Sequence, residues 1–251
     1  MFPFRTIFLF TVGLAFPPVA LSQQQVAPAS AAPGKQVEMA FETSQHGRVE
    51  YLLYLPKDYD EQESLPLMLF LHGRGESNGP ISLVAKWGPP RIVGEGDDMP
   101  YIIISPQCPR SDNWSSEKQQ QILIELLDSV SKEWKVDSNR VYLTGLSMGG
   151  FGSWQLAAKY PERFAAVVPI CGGMSVKHAE ALKNIPIWAF HGDKDPIVPI
   201  KRTADIVDAI KAAGGTSVRF TTLEEIGHNS WSSAYATPGL YRWIDRQRLE
   251  K

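Results

Sequence analysis

One serine, one histidine and two aspartates in this chain stand where a nucleophile, a base and an acid could work together. Ser147 lies in Gly145-Leu146-Ser147-Met148-Gly149, directly after an apolar run at 140–144 and just before a helix-like run at 151–159. A serine on a sharp strand-to-helix turn sits in strained backbone, and side chains two positions to either side would clash. Glycine at 145 and 149 removes those clashes, and Gly150 lets the helix approach the sheet. The turn pushes Oγ into the open, and the helix N-terminus favours negative charge forming beside it. Further on, the apolar run 187–190 ends in His191-Gly192-Asp193-Lys194-Asp195-Pro196, and the run 218–223 leads into Gly227-His228-Asn229. A hydroxyl, a carboxylate and an imidazole suit acyl transfer: the imidazole takes the hydroxyl proton and the carboxylate holds the imidazole. A glycine-rich loop at a helix start is the plainer account of the serine motif alone. The acid and histidine that follow it favour chemistry, with Asp193 and Asp195 competing for the acid role.

A fourth piece lies upstream, where the apolar run 67–71 enters His72-Gly73-Arg74-Gly75. With these four motifs, residues 37–248 or so resemble the esterase branch of the α/β-hydrolases. They are most similar to small secreted carboxylesterases of the dienelactone-hydrolase, prolyl-oligopeptidase-like and polyhydroxybutyrate-depolymerase or feruloyl-esterase-like groups. The resemblance implies the chain order nucleophile, acid, base. It puts the nucleophile at Ser147, the acid at Asp195, second aspartate of its His-Gly-x-x-Asp, and the base at His228. It also implies an oxyanion hole built from the backbone N–H groups of Arg74 and Met148.

The elements that must position these groups can be read from periodicity. Residues 37–42 and 49–55 alternate about a Ser44-Gln45-His46-Gly47 turn, a hairpin signal. Strands are expected at 67–71, 101–105, 140–144, 165–170, 187–190 and 218–223. Helices are expected from the Ser116 cap to Trp134, at 202–213 ended by Gly214-Gly215, and at 238–248 capped by Thr237. Strands alternating with helices predict an α/β fold: a mostly parallel central sheet with an antiparallel N-terminal edge and helices on both faces. The reactive residues fall just past strand C-termini, where such sheets place their sites. Only about a dozen residues separate Gly172 from the next strand, too few for a large cap domain, so an open site is expected.

Residues 1–22 read as a signal peptide: a basic start at Arg5, an apolar stretch at 7–15, and Ala20-Leu21-Ser22 for cleavage. Residues 23–36 read as a Gln/Ala/Pro-rich leader and 37–251 as one catalytic domain. A secreted or periplasmic protein is expected. The net charge of −2, with no Lys/Arg block, argues against nucleic acid as a partner. No stable membrane insertion is expected once the signal peptide is cleaved. Cys108 and Cys171, at the ends of strands with two others between them, are expected to be free and buried, with no histidine placed to activate either. Gly73-Arg74-Gly75 lacks a third glycine, Asn78 holding that position, so no nucleotide cofactor is expected. No cluster has metal spacing, so no metal is expected either. His72 and His191 read as structural. Trp114 and Trp231 fall in loops expected to rim the site, where a flat ring could receive an aromatic acyl group or a sugar. The Arg74 side chain could meet a substrate carboxylate. The functional expectation is a serine carboxylesterase acting on a small-molecule or polymer-linked ester, with acetylated or feruloylated carbohydrate as the favoured class. The alternatives are an acyltransferase or peptidase using the same residues, or a non-catalytic binding module.

Overall fold

The computed structural model describes residue 1 and residues 31–249. The expected signal peptide and most of the leader lie outside the described residues. Eight strands form one sheet in the order β1-β2-β4-β3-β5-β6-β7-β8. In chain order they are β1 (Gln36–Thr43), β2 (Gly47–Tyr54), β3 (Leu65–Leu71), β4 (Ile102–Pro106), β5 (Val136–Leu146), β6 (Ala166–Ile170), β7 (Ile187–Gly192) and β8 (Val218–Leu223). β1 and β2 form the predicted hairpin, and β2 runs antiparallel to β4; from β4 to β8 every pair is parallel. Among the described residues seven α-helices accompany the sheet: α1 (Gly88–Gly94), α2 (Glu117–Glu133), α3 (Met148–Lys159), α4 (Ala179–Leu182), α5 (Lys201–Ala212), α6 (Trp231–Tyr235) and α7 (Leu240–Asp245).

The sequence of β3 explains the layering. All seven of its residues are buried, as a strand covered on both faces requires. Side chains alternate across the sheet, so Leu67, Leu69 and Leu71 pack with Leu123, Leu126 and Leu127 of α2 and Ile206 and Ile210 of α5. Met68 and Phe70 join the opposite core, with Val93 of α1 and Leu240, Trp243 and Ile244 of α7. α2 begins as its sequence indicates: Ser116 Oγ accepts the N–H of Gln119 at 3.2 Å. α5 ends before Gly214, whose φ of +90° is costly for any other residue.

Most boundaries fall within two residues of expectation, and two elements depart further. β5 starts at Val136, not near 140, and Asp137 serves as an anchor there, accepting from Arg140 and Arg248 at 2.7 Å each. The helix expected over 238–248 is confined to Leu240–Asp245. Thr237 does not cap it, because its Oγ1 donates back to Ser233 O at 3.0 Å and closes the preceding turn. Between β6 and β7 the chain carries a 3₁₀ turn, Val176–His178, and the four-residue α4, so no cap domain is inserted there. Among the described residues no helix is long and apolar enough to cross a membrane.

Candidate active site

The site forms at the C-terminal edge of the sheet, on β3, β5 and β7 and on the loop after β8. Ser147 follows β5 with φ +52° and ψ −114°, a backbone that costs a non-glycine residue about 1–3 kcal/mol. Its neighbours hold that conformation. The N–H of Ser147 donates to Ile170 O at 3.0 Å, and its carbonyl accepts the N–H of Phe151 at 3.0 Å to start α3. The tight approach needs glycine: a Cβ at 149 would lie 1.9 Å from Leu71 O, and one at 145 would lie 2.5 Å from Gly149 O. The Gly-x-Ser-x-Gly pattern is therefore the steric record of α3 crossing the end of β3.

Ser147 Oγ lies 2.9 Å from His228 Nε2, and His228 Nδ1 lies 2.7 Å from Asp195 Oδ2. The loop 193–199 holds the carboxylate by its other oxygen, which accepts the N–H groups of Ile197 at 2.8 Å and Val198 at 2.9 Å. Burial pushes the Asp195 carboxyl up. The hydrogen bond from His228 and the two N–H donors outweigh it and hold Asp195 below the usual carboxylate range. Asp193 makes no comparable contact; its Oδ1 is buried without a hydrogen-bond partner among the described residues.

Arg74 and Met148 each occupy the first position of a helical turn, where a backbone N–H has no partner within its own helix. Both line a cavity of about 300 Å³ with Ser147, Asn113, Ser115 and Phe151. The Arg74 guanidinium is engaged, donating to Arg110 O at 3.1 Å and Asp112 O at 2.6 Å. It ties the loop after β3 to the loop after β4. A second tie is the side-chain amide of Gln107, which donates to Glu76 O at 2.9 Å. Glu76 itself is buried behind the Gly73–Arg74 peptide, and burial raises its carboxyl above the usual range. No local pattern in the sequence separates Glu76 from a surface acid.

The two expected rim tryptophans have different fates. Trp231 is half-buried, with its ring edge-on to His228 at 5.6 Å, so it does flank the site. Trp114 is completely buried, its indole N–H donating to His72 O at 3.0 Å and its Cβ against Gly152. It belongs to the core and not to the rim, because Gly152 on α3 opens a slot that the indole fills. Trp114→Ala should therefore cost about 3–5 kcal/mol of stability. Urea denaturation checks this; a wild-type midpoint with altered acyl preference would return Trp114 to the rim.

His72 is structural, as expected: its Nε2 accepts the N–H of Cys108 at 2.9 Å, and burial pushes its imidazole down to about 4. Both cysteines are free and buried. Cys171 departs from expectation in one respect. Its Sγ and ligand atoms of Asp195 and His228 all lie within 4.8 Å of one another, so a histidine does stand beside it. Burial pushes that thiol up to about 12, which leaves it un-ionised and a poor nucleophile.

The sheet order, the crossover helices and the family match make this chain an α/β-hydrolase. The phospholipase/carboxylesterase family matches residues 102–237, more than half of the chain, and the chain belongs to that family. A thermostable esterase of known crystal structure aligns with a TM-score of 0.76 and 32% identity, over 85% of this chain and 63% of that one. A probable feruloyl esterase C of Aspergillus niger is 24% identical over 203 residues, 79% of this chain and 74% of the relative. The bifunctional acetylxylan esterase/xylanase XynS20E of Neocallimastix patriciarum is 26% identical over 136 residues. That match covers 53% of this chain and 20% of the relative, so this chain spans about one fifth of that protein.

Proposed function

We propose that the protein is a serine carboxylesterase in which Ser147, His228 and Asp195 act as nucleophile, base and acid. The observation that carries this reading is the unbroken contact Ser147 Oγ–His228 Nε2 at 2.9 Å and His228 Nδ1–Asp195 Oδ2 at 2.7 Å. Ser147 Oγ attacks the ester carbonyl while His228 Nε2 takes its proton, and Asp195 stabilises the imidazolium. The N–H groups of Arg74 and Met148 receive the oxyanion, each worth about 3 kcal/mol in the transition state. His228 returns the proton to the departing alcohol, and water, activated by the same imidazole, releases the acid from Ser147.

The substrate class we favour is an ester on carbohydrate, acetyl or feruloyl. A cavity of about 300 Å³ lies at the small end of ligand sites. Phe151 and Met148 give it an apolar side, and Asn113 and Ser115 give it hydroxyl and amide groups. That suits a short or single-ring acyl group. The relatives named above include a probable feruloyl esterase and an acetylxylan esterase. Initial rates on p-nitrophenyl acetate, p-nitrophenyl palmitate, methyl ferulate and acetylated xylan test it. The acetyl or feruloyl member should exceed the palmitate by at least about tenfold. A preference for palmitate would sink the carbohydrate-ester reading and leave a lipid esterase. Export is part of the same proposal, and the exported protein should begin near Gln23 when its mass is measured.

A further inference from the structure

The catalytic contact described above leaves one buried histidine unused. His191, the penultimate residue of β7, is fully buried, and both ring nitrogens are engaged. Nε2 lies 2.9 Å from Val198 O and 3.1 Å from Asp195 Oδ2. Both partners only accept, so Nε2 must carry the proton. Nδ1 lies 2.7 Å from Thr203 Oγ1. The same Thr203 oxygen lies 2.9 Å from Gly172 O, another group that only accepts. Thr203 has one hydrogen and two claimants. When it serves Nδ1, His191 is the neutral Nε2–H tautomer. When it serves Gly172 O, Nδ1 must donate and His191 must be a cation. Burial holds this imidazole below the ordinary histidine range, which favours the neutral form at pH 7.

The consequence falls on Asp195. Its Oδ1 is fixed by two backbone N–H groups, but its Oδ2 is shared by two imidazoles, His228 from one side and His191 from the other. A carboxylate pinned at one oxygen can still rock about its Cβ–Cγ bond. A donor from the rigid end of β7 removes that freedom in the oxygen that orients His228. We propose that His191 is a positioning residue for the Asp195–His228 pair: as the neutral tautomer, its proton held on Nε2 where Val198 O and Asp195 Oδ2 both only accept, it fixes Asp195 Oδ2 and moderates its basicity toward His228. The role rests on the esterase reading above.

Other ionisable groups near the pair are few. Cys171 stands within 4.8 Å of Asp195 and His228 as an un-ionised thiol. Asp193 and Lys194 share the turn with Asp195, and Lys194 pairs with Glu225 at 3.4 Å on the exposed side. Losing the His191 donor leaves Asp195 Oδ2 more basic toward His228.

The test compares His191→Leu with His191→Gln, whose side-chain N–H₂ can reach where Nε2 stood. A hydrogen bond to a charged group is worth about ten- to a hundredfold. His191→Leu should lower kcat by that factor with KM little changed, and should move the acidic limb of the kcat/KM profile upward by about one pH unit. His191→Gln should recover most of both. Unchanged kcat and pH profile in the leucine variant would overturn the role. So would a loss of activity with an unmoved acidic limb that glutamine does not restore. Imidazole ¹⁵N spectra of the wild-type chain give a measurement independent of folding in the variants and of any ester. They should show His191 as the neutral Nε2–H tautomer from pH 6 to 8, and an Nδ1–H or cationic ring there overturns the inference. If no ester is turned over but the spectra show the Nε2–H tautomer, the esterase reading fails and the contact survives.

Discussion

Ser147→Ala is expected to lower kcat by about 10⁶-fold while leaving the thermal unfolding midpoint near the wild-type value. The two halves have separate causes. Oγ is the atom proposed to form the acyl bond, and His228 Nε2 lies 2.9 Å from it. Stability is spared because the strain at φ +52° belongs to the backbone, which alanine inherits. The neighbours that hold the turn, the N–H to Ile170 O and the glycines at 145 and 149, are untouched. Turnover should be followed with a short p-nitrophenyl ester on protein free of wild-type contamination. Residual activity above about one per cent would move the nucleophile elsewhere. Cys171 is a weak successor, since its thiol is buried and pushed up to about 12.

Much of this site was legible because its constraints are local. Gly145 and Gly149 follow from the turn itself, and Ser147 sits between them; the clashes that a Cβ would meet there are with β3 and with the helix's own first turn. The strand β8 matches its expected limits, 218–223, because a β-rich run bounded by polar turns needs no distant partner to be recognised. What failed depended on distant partners. β5 reads as a strand over 140–144, yet it starts at Val136 with Arg248, from far along the chain, bonded to Asp137. Trp114 read as a loop aromatic, and it is a core residue because Gly152, on another element, leaves room for it. His191 read as structural, which its burial supports. Its contact with Asp195 Oδ2 depends on how the turn after β7 folds back, and the four-residue spacing carries no helical meaning there. Glu76 and the cavity residues Asn113, Ser115 and Phe151 come together only when the loops after β3 and β4 are tied by Arg74 and Gln107.

The second large effect is expected at Asp195, the proposed acid. Asp195→Asn should lower kcat by about 10⁴-fold although it changes one atom and no volume. The hydrogen-bond arithmetic of this site says why. Oδ1 accepts from the N–H groups of Ile197 and Val198, so the amide oxygen of an asparagine must take that place. The NH₂ is then forced into the position of Oδ2, facing His228 Nδ1 at 2.7 Å and His191 Nε2 at 3.1 Å. Nδ1 of His228 can meet that donor only as an acceptor, which puts the ring proton on Nε2, pointed at Ser147 Oγ. The base is then already protonated where it must take a proton, and no carboxylate stabilises the imidazolium that acylation requires. His191 is displaced too. Its Nε2–H still suits Val198 O at 2.9 Å but now opposes a donor, so the buried ring must turn or lose a bond. The variant should therefore lose some stability as well as activity, a combination that Ser147→Ala does not show. Rates on the same ester, with the unfolding midpoint measured beside them, check both. A kcat within about tenfold of wild type would mean that Asp195 holds the loop and not the imidazole, and Asp193 would then have to be tested as the acid.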